Sequence, residues 1–278
     1  MYLYIFIILL IIITISFGAQ MDGGAIGKRP KSWSEDEQFV MYVLKHFNIK
    51  LSPIKAMKKF HDIVDQSKDY IRYLKYLKRY WVPSSARQYG DHIIDRAQLI
   101  KSLTDAADIH PRSVLDVGTE SLSFLDALEK YYIRAHGINV RTFEHYVEFD
   151  SNDPRFSFYD TTIQGRYDLL IISSVLHHIP DIDATHNLAA YIAEYCRVGR
   201  YILVKENDCT TANVKRFFDL QHIAFEEIFH ARPHKNYRRY LTRDQLVKLF
   251  GAHDFVPIYE TPIRGFTRYF YIIFGKKE

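Results

Sequence analysis

Downstream of residue 86 the chain alternates two hydrophobic rhythms. Short runs are apolar at nearly every position, and longer segments repeat apolar residues every three to four positions. The first kind predicts strands at Ser113–Val117, Ala135–Val140, Phe156–Tyr159, Tyr167–Ser174 and Arg200–Lys205. Runs such as DLLII and YILV lack a polar face, as strands of a parallel sheet covered on both sides do. The second kind predicts helices at Ser121–Ile133 and Ala184–Arg197. It also predicts a helix before the first strand, with Ile93, Ala97, Ile100, Leu103 and Ala107 on its apolar face. Two further strands, Phe255–Tyr259 and Thr267–Phe274, are joined by a short link with Pro262 and Gly265 and read as an antiparallel hairpin at the sheet edge. The alternation predicts a doubly wound α/β domain with a mostly parallel seven-stranded sheet.

Ahead of this domain the pattern is helical. Ser34 precedes Glu35, Asp36 and Glu37, a helix start. The helical period runs to about Trp81, interrupted near Ser52-Pro53, and Pro83-Ser84-Ser85 ends it. Residues 21–31 (MDGGAIGKRPK) are Gly-rich and basic and read as a linker. Residues 1–20 carry no charged side chain and are about long enough, as a helix, to cross a bilayer. The predicted organisation is a hydrophobic anchor or signal segment over 1–20, a linker and basic helical extension over 21–84, and the α/β domain over 85–278. Three readings of the first segment stand. An anchor is preferred, because Lys28, Arg29 and Lys31 follow the run and the positive-inside bias then places the domain in the cytosol. A secretory signal would be cut at Ser16-Phe17-Gly18 or Phe17-Gly18-Ala19, giving a secreted or luminal protein. Translation from Met21 would give a cytosolic chain without the segment.

Composition changes this picture only locally. With 47% hydrophobic residues the chain can build a real core, and a formal net charge of +4 leaves any acidic partner to be argued from clusters. Lys55 to Tyr80 holds eight Lys or Arg against three Asp. On a helical wheel Lys68, Arg72, Lys75 and Arg79 form one stripe, opposite Tyr70, Ile71, Leu74, Leu77 and Trp81. That stripe is either a surface for RNA or an anionic membrane, or the solvated face of an amphipathic helix. A second cluster, Arg232, Lys235, Arg238, Arg239 and Arg243, is interleaved with His230, His234, Tyr237 and Tyr240. Basic and aromatic residues together suit single-stranded nucleic acid, and a charged surface loop is the other reading. The two cysteines, Cys196 and Cys209, support no disulfide framework and read as reduced structural thiols.

Open α/β sheets bind ligands at the carboxyl ends of strands, where the strand order reverses. The loop within RSVLDVGTESLSF, residues 112–124, is therefore the expected site. It carries Gly118 alone, so the dinucleotide pattern G-x-G-x-x-G is absent and a pyrophosphate cradle is not expected. Glu120 would repel phosphates, and a ligand with a cationic amine suits the loop better.

The order VLDVG, HGINV, FYD, YDLLIISSVLHHIPD and YILVKENDC, closed by a strand hairpin, resembles the class I S-adenosylmethionine-dependent methyltransferases over about residues 90–278. VLDVG together with VLHHIPD downstream is the specific part. VKENDC, FFDLQHIAFEE and NYRRYLTRDQLVKLF resemble methyltransferase-like proteins of large DNA viruses and related genomes. The resemblance implies a Rossmann-like fold and S-adenosylmethionine as cofactor. It also implies roles by position. Asp116 and Gly118, with Thr119, would line the methionine end. Asn139 stands where the family usually carries an acidic residue for the ribose hydroxyls, and an amide bonds there without charge assistance. Asp160 matches the position that contacts the adenine amine, and Ser173, Ser174 and Val175 would border the site.

Methyl transfer from a sulfonium is an in-line displacement in which the protein mainly positions the reactants. His177 and His178 are candidates for base or acceptor-positioner, against a packing role in their turn. His186 is near, but thiol or carboxylate partners at ligand spacing are lacking, so no metal is expected. Lys205, the third catalytic candidate, resembles the second Lys of the Lys-Asp-Lys-Glu tetrad of RNA ribose 2′-O-methyltransferases. Ser173-Ser174 replace the Asp and Arg268 the Glu, so the tetrad is incomplete and an ordinary strand-end charge is the other reading. The sequence thus points to an S-adenosylmethionine-dependent methyltransferase, with RNA ahead of a small molecule or protein as acceptor. The rival is an inactive module that keeps the fold and a nucleic-acid surface.

Overall fold

A computed structural model describes residues 34–82, 86–119, 121–140, 152–159, 162–179, 187–229, 231, 240–263 and 268–277. The chain divides into two units, Met1–Gln38 and Phe39–Glu278. In the first, the described residues open helix α1 (Glu35–His46). The Ser34 N–H donates to Glu37 Oε2 at 2.7 Å and the Glu37 N–H donates to Ser34 Oγ at 3.2 Å, a reciprocal capping box. No helix among the described residues is long and apolar enough to cross a membrane. Residues 1–20, where the anchor is predicted, and the 21–31 linker lie outside the described residues.

In the second unit, α2 (Pro53–Phe60) runs into a π-helical turn at His61–Asp65, and α3 (Tyr70–Lys78) follows. Pro53 suits a first helical turn, where its missing N–H costs nothing. Asp69 caps α3 by accepting the Arg72 N–H at 2.9 Å. The chain closes on itself where Ile49 and Trp81 pair. On α3 the wheel holds for Leu74 and Leu77, which are fully buried, and for Arg72 and Lys75, which are exposed. Lys68, at φ +52°, precedes the Asp69 cap and Arg79 is the C-cap, so these two are exposed but lie outside the helix that the sequence predicts to begin at Lys68. Tyr73 joins the buried side and donates its hydroxyl to the Ala56 carbonyl at 3.0 Å. These helices share an apolar cluster with Phe217, Phe218, Ile228 and Phe229. Those residues belong to α7 (Ala212–Ile223) and the π-helical turn Ala224–Phe229 that extends it.

The sheet comprises β1 (Ser113–Val117), β2 (Arg134–Val140), β3 (Phe156–Tyr159), β4 (Tyr167–Ser173), β5 (Gly199–Asn207), β6 (Phe255–Glu260) and β7 (Tyr269–Lys276). Its order is β3-β2-β1-β4-β5-β7-β6. The first five strands are parallel, and β7 runs antiparallel between β5 and the edge strand β6. Helices α4 (Ala86–Ala106) and α5 (Leu122–Leu128) pack with Val114, Leu169, Ile171 and Leu203 on one face. Helices α6 (Leu188–Val198) and α8 (Arg243–Gly251) pack with Leu115, Leu170, Ile172 and Val204 on the other. Leu169 to Ile172 are buried at every position, which is why DLLII lacks a polar face.

This is the doubly wound, Rossmann-like α/β fold with an antiparallel C-terminal hairpin and an N-terminal helical extension. Differences from the predicted bounds have local causes. Helix α5 stops at Leu128, short of Ile133, because the Ile133 and Arg134 N–H groups turn to the Arg112 carbonyl and start β2. Helix α6 starts at Leu188, where Asn187 accepts the Ala190 N–H at 3.0 Å. Strand β5 continues two residues past Lys205 because β7 pairs with it as far as Asn207↔Tyr269.

Candidate active site

The strand order reverses between β1 and β4, and Asp116, Gly118, Thr119, Asn139, Ser174 and Lys205 lie at or just past the carboxyl ends of β1, β2, β4 and β5. Gly118 has φ +81°, a conformation that favours glycine. A Cβ on it would lie 2.6 Å from Val175 Cγ2. The missing side chain therefore admits Val175, from the end of β4, against the tip of β1. The Gly118 and Thr119 N–H groups donate to the Ile138 carbonyl at 2.8 and 3.0 Å, so they are not turned toward a ligand phosphate. Thr119 points inward and is fully buried. Its hydroxyl contacts the Asp116 carbonyl oxygen at 2.8 Å and Asp116 Oδ2 at 2.9 Å. A Cβ on Gly137 would meet that hydroxyl at 2.4 Å, so the bare β2 backbone makes room for Thr119. Asn139 is buried and donates through Nδ2 to the Thr119 carbonyl at 3.1 Å. The structure thus gives Thr119 and Asn139 work in shaping the loop. Asp160, Glu120 and His186 lie outside the described residues.

Asp116 is 3% exposed, and its Oδ1 has no hydrogen-bond partner among the described residues. Arg96 on α4 places a guanidinium nitrogen 3.5 Å from Oδ1, too long for a good hydrogen bond. Burial pushes the Asp116 carboxyl up to about 6, and Arg96 and the Thr119 hydroxyl only partly offset it. Arg96 itself is 41% exposed in its side chain and stacks over Phe124 at 4.0 Å. Its position is the part of the site the pattern analysis passed over, although a signal was there. Arg96 falls three residues after Ile93 and four before Ile100, on the buried face of its helix, where a charge needs a reason.

Lys205 is not an ordinary strand-end charge. Its ammonium donates to Ser174 Oγ at 2.8 Å. Burial, with Arg96 adding to it, lowers its pKa to about 8, while Glu206 opposes. Ser174, at φ +59°, donates its N–H to the Lys205 carbonyl at 2.8 Å, locking the ends of β4 and β5 together. Arg268, at the tetrad's Glu position, pairs with buried Asp208 at 2.7 Å.

The three catalytic candidates are split. Successive strand residues point to opposite faces, so Lys205 faces the α4 side with Asp116, and Glu206 faces the other. There His177, in the turn Leu176–His178, is buried and places Nδ1 2.7 Å from Glu206 Oε2. His178 lies beside it, with ring centroids 4.2 Å apart and the planes tilted by 41°. His222 of α7 and Tyr240 complete this side: His177 Nε2 is 3.1 Å from His222 Nε2, and Tyr240 Oη donates to Asp219 Oδ1 at 3.0 Å. His222, 45 residues beyond His177, is invisible to local spacing. Cys196 and Cys209 are unbridged, and burial raises both thiols to about 12, as structural thiols require.

A seven-stranded sheet of this order with a buried carboxylate at the tip of its first strand defines the class I methyltransferase architecture. Comparison with known proteins agrees. The family described as "Methyltransferase domain" matches residues 86–260, and the chain belongs to that family. Its cofactor is S-adenosylmethionine. No curated protein matches the chain in sequence. Among solved structures, magnesium protoporphyrin IX methyltransferase from Synechocystis, with bound S-adenosylhomocysteine, is similar at 14% identity and a TM-score of 0.46, over 80% of this chain and 98% of that one. The N-methyltransferase NodS from Bradyrhizobium japonicum is similar at 11% identity and a TM-score of 0.42, over 66% and 87%. An O-methyltransferase family protein from Burkholderia thailandensis is similar at 12% identity and a TM-score of 0.44; the match covers 68% of this chain and 58% of that one. None of these three is viral, and these comparisons do not support the resemblance to viral proteins.

The residues fit the cofactor. Its amino-acid end carries an ammonium and a carboxylate. Asp116 Oδ1, buried and without a donor among the described residues, is suited to the first, and half-exposed Arg96 is suited to the second.

Proposed function

We propose that this chain transfers a methyl group from S-adenosylmethionine to an acceptor bound beyond the carboxyl ends of β4 and β5. When bound, the cofactor supplies an electrophilic methyl on a sulfonium. The chain's own residues do the holding. Asp116 receives the ammonium and Arg96 the carboxylate, while Lys205 adds positive potential beside them. Thr119 and Asn139 keep the loop in shape, and Ser174 with Val175 walls the site. Asp160 takes the adenine amine in this proposal. The observation that carries the reading is the unsatisfied Asp116 Oδ1 beside a guanidinium, since a buried acceptor without a donor is costly unless a ligand completes it. Ultraviolet crosslinking with methyl-labelled cofactor, followed by peptide mapping, tests it. Label in the peptides carrying Asp116 or Arg96 is expected, and label confined elsewhere would contradict it.

For the acceptor we keep RNA. Its support among the described residues is the exposed stripe Lys68, Arg72, Lys75 and Arg79. The cluster Arg232, Lys235, Arg238 and Arg239 lies outside the described residues. Incubating the protein with labelled cofactor and separate pools of RNA, protein and metabolites distinguishes the classes. Label entering only metabolites or protein would remove RNA.

A further inference from the structure

Two imidazoles on the α7 side, His177 and His222, face each other through Nε2. His177 Nδ1 lies 2.7 Å from Glu206 Oε2, and a carboxylate only accepts, so that nitrogen carries hydrogen. His222 Nδ1 lies 2.8 Å from the Phe218 carbonyl oxygen, which likewise only accepts. In its neutral form, a ring so oriented offers its lone pair at Nε2. The two Nε2 atoms are 3.1 Å apart. Either a shared proton or a metal ion can hold two such nitrogens at this distance. His178 adds a third imidazole, and one ligand nitrogen from each of the three rings lies within 4.8 Å of the others.

We propose that His177, His178 and His222 bind a divalent transition metal of the zinc class. Zinc holds imidazole nitrogens at about 2.0–2.1 Å in a tetrahedron, which sets N···N separations of roughly 3.3 Å. The 3.1 Å between His177 and His222 is near that value. The outer contacts have the form metal sites use. Glu206 fixes the His177 tautomer and ring orientation, and its other oxygen accepts the Leu176 N–H at 3.0 Å. The Phe218 carbonyl does the same for His222. The site joins the turn after β4, the end of β5 and the last turn of α7, just before the helix changes to π-helical winding. Three protein ligands leave a fourth position for water or an acceptor oxygen. As ligands, the histidines give lone pairs to the metal, which replaces the proton-accepting role the sequence assigned to His177 and His178. The site lies on the opposite face of the sheet from Asp116, so it stands independently of cofactor binding there.

The test uses the full chain, stripped with a chelator and dialysed against zinc or cobalt. Elemental analysis should find one zinc per chain, with affinity reduced more than tenfold in His178→Ala and His222→Ala. Cobalt should give the intense visible bands of a tetrahedral site. His222→Cys should keep the metal and add a thiolate-to-cobalt charge-transfer band, which a merely structural histidine would not produce. Circular dichroism shows whether the alanine variants fold; if they do not, the wild-type cobalt spectrum and His222→Cys decide. No metal retained above the stripped level, or unchanged metal in folded His222→Ala, would overturn the site in favour of a proton shared between His177 and His222.

Discussion

Asp116 and Lys205 show how burial prepares single residues for a charged ligand. Burial holds the Asp116 carboxyl near 6, so it ionises reluctantly. Because this folded-state value lies above the ordinary one, its contribution to stability is present at low pH and is lost as pH rises through about 6. Asp116→Asn should therefore flatten the pH dependence of thermal unfolding in that window while weakening cofactor binding roughly tenfold to a hundredfold, as loss of a charge-assisted hydrogen bond does. Parallel unfolding scans and binding titrations check both halves. Lys205 runs the other way. Its folded value, about 8, is depressed, so the protonated form burdens the fold at neutral pH and the burden lifts as pH rises from 8 toward the ordinary lysine value. Lys205→Met should raise the melting temperature at neutral pH, with the gain shrinking above pH 8. A gain that stays constant across that range would show that the ammonium is not enclosed.

Elements carry the geometry that brings these residues together. Alanine at Gly118 would bring a Cβ to 2.6 Å from Val175 on a backbone with φ +81°, and should cost roughly 2–4 kcal/mol in chemical denaturation. Thr242 accepts the Gln245 N–H at 3.3 Å while Gln245 Oε1 accepts the Thr242 N–H at 2.8 Å. Thr242→Ala should cost about 1 kcal/mol by the same measurement. The strands were legible because their apolar runs have no polar face. The Asp116–Gly118 turn was legible because a buried acid and a lone glycine end such a run. Arg96, Glu206 and His222 were not, because each joins its site through tertiary packing from an element read for its apolar positions. Lys205 was placed on the right strand, but its depressed pKa owes part to Arg96 and its ammonium bonds Ser174, neither of which any local pattern ties to it.

At the scale of the second unit, the helices before the α/β domain and the β5–β6 connection form one apolar cluster that includes Leu77, Phe217 and Phe229. Leu77 is fully buried there, so Leu77→Ala should destabilise by about 2–5 kcal/mol. Hydrogen exchange should then quicken in α7 as well as α3, and protection lost in α3 alone would mean the cluster does not fold as one. Because α7 also carries His222, this packing links the helical extension to the histidine side of the sheet. The central claim, that the tip of β1 holds S-adenosylmethionine through Asp116, is tested most directly by titration calorimetry at about pH 7.5 and about pH 5, on either side of the Asp116 value of about 6. Binding at the higher pH, roughly tenfold weaker binding at the lower, and weak binding at both in Asp116→Asn are predicted. Absence of binding at millimolar cofactor, or equal affinity in Asp116→Asn, would contradict the claim.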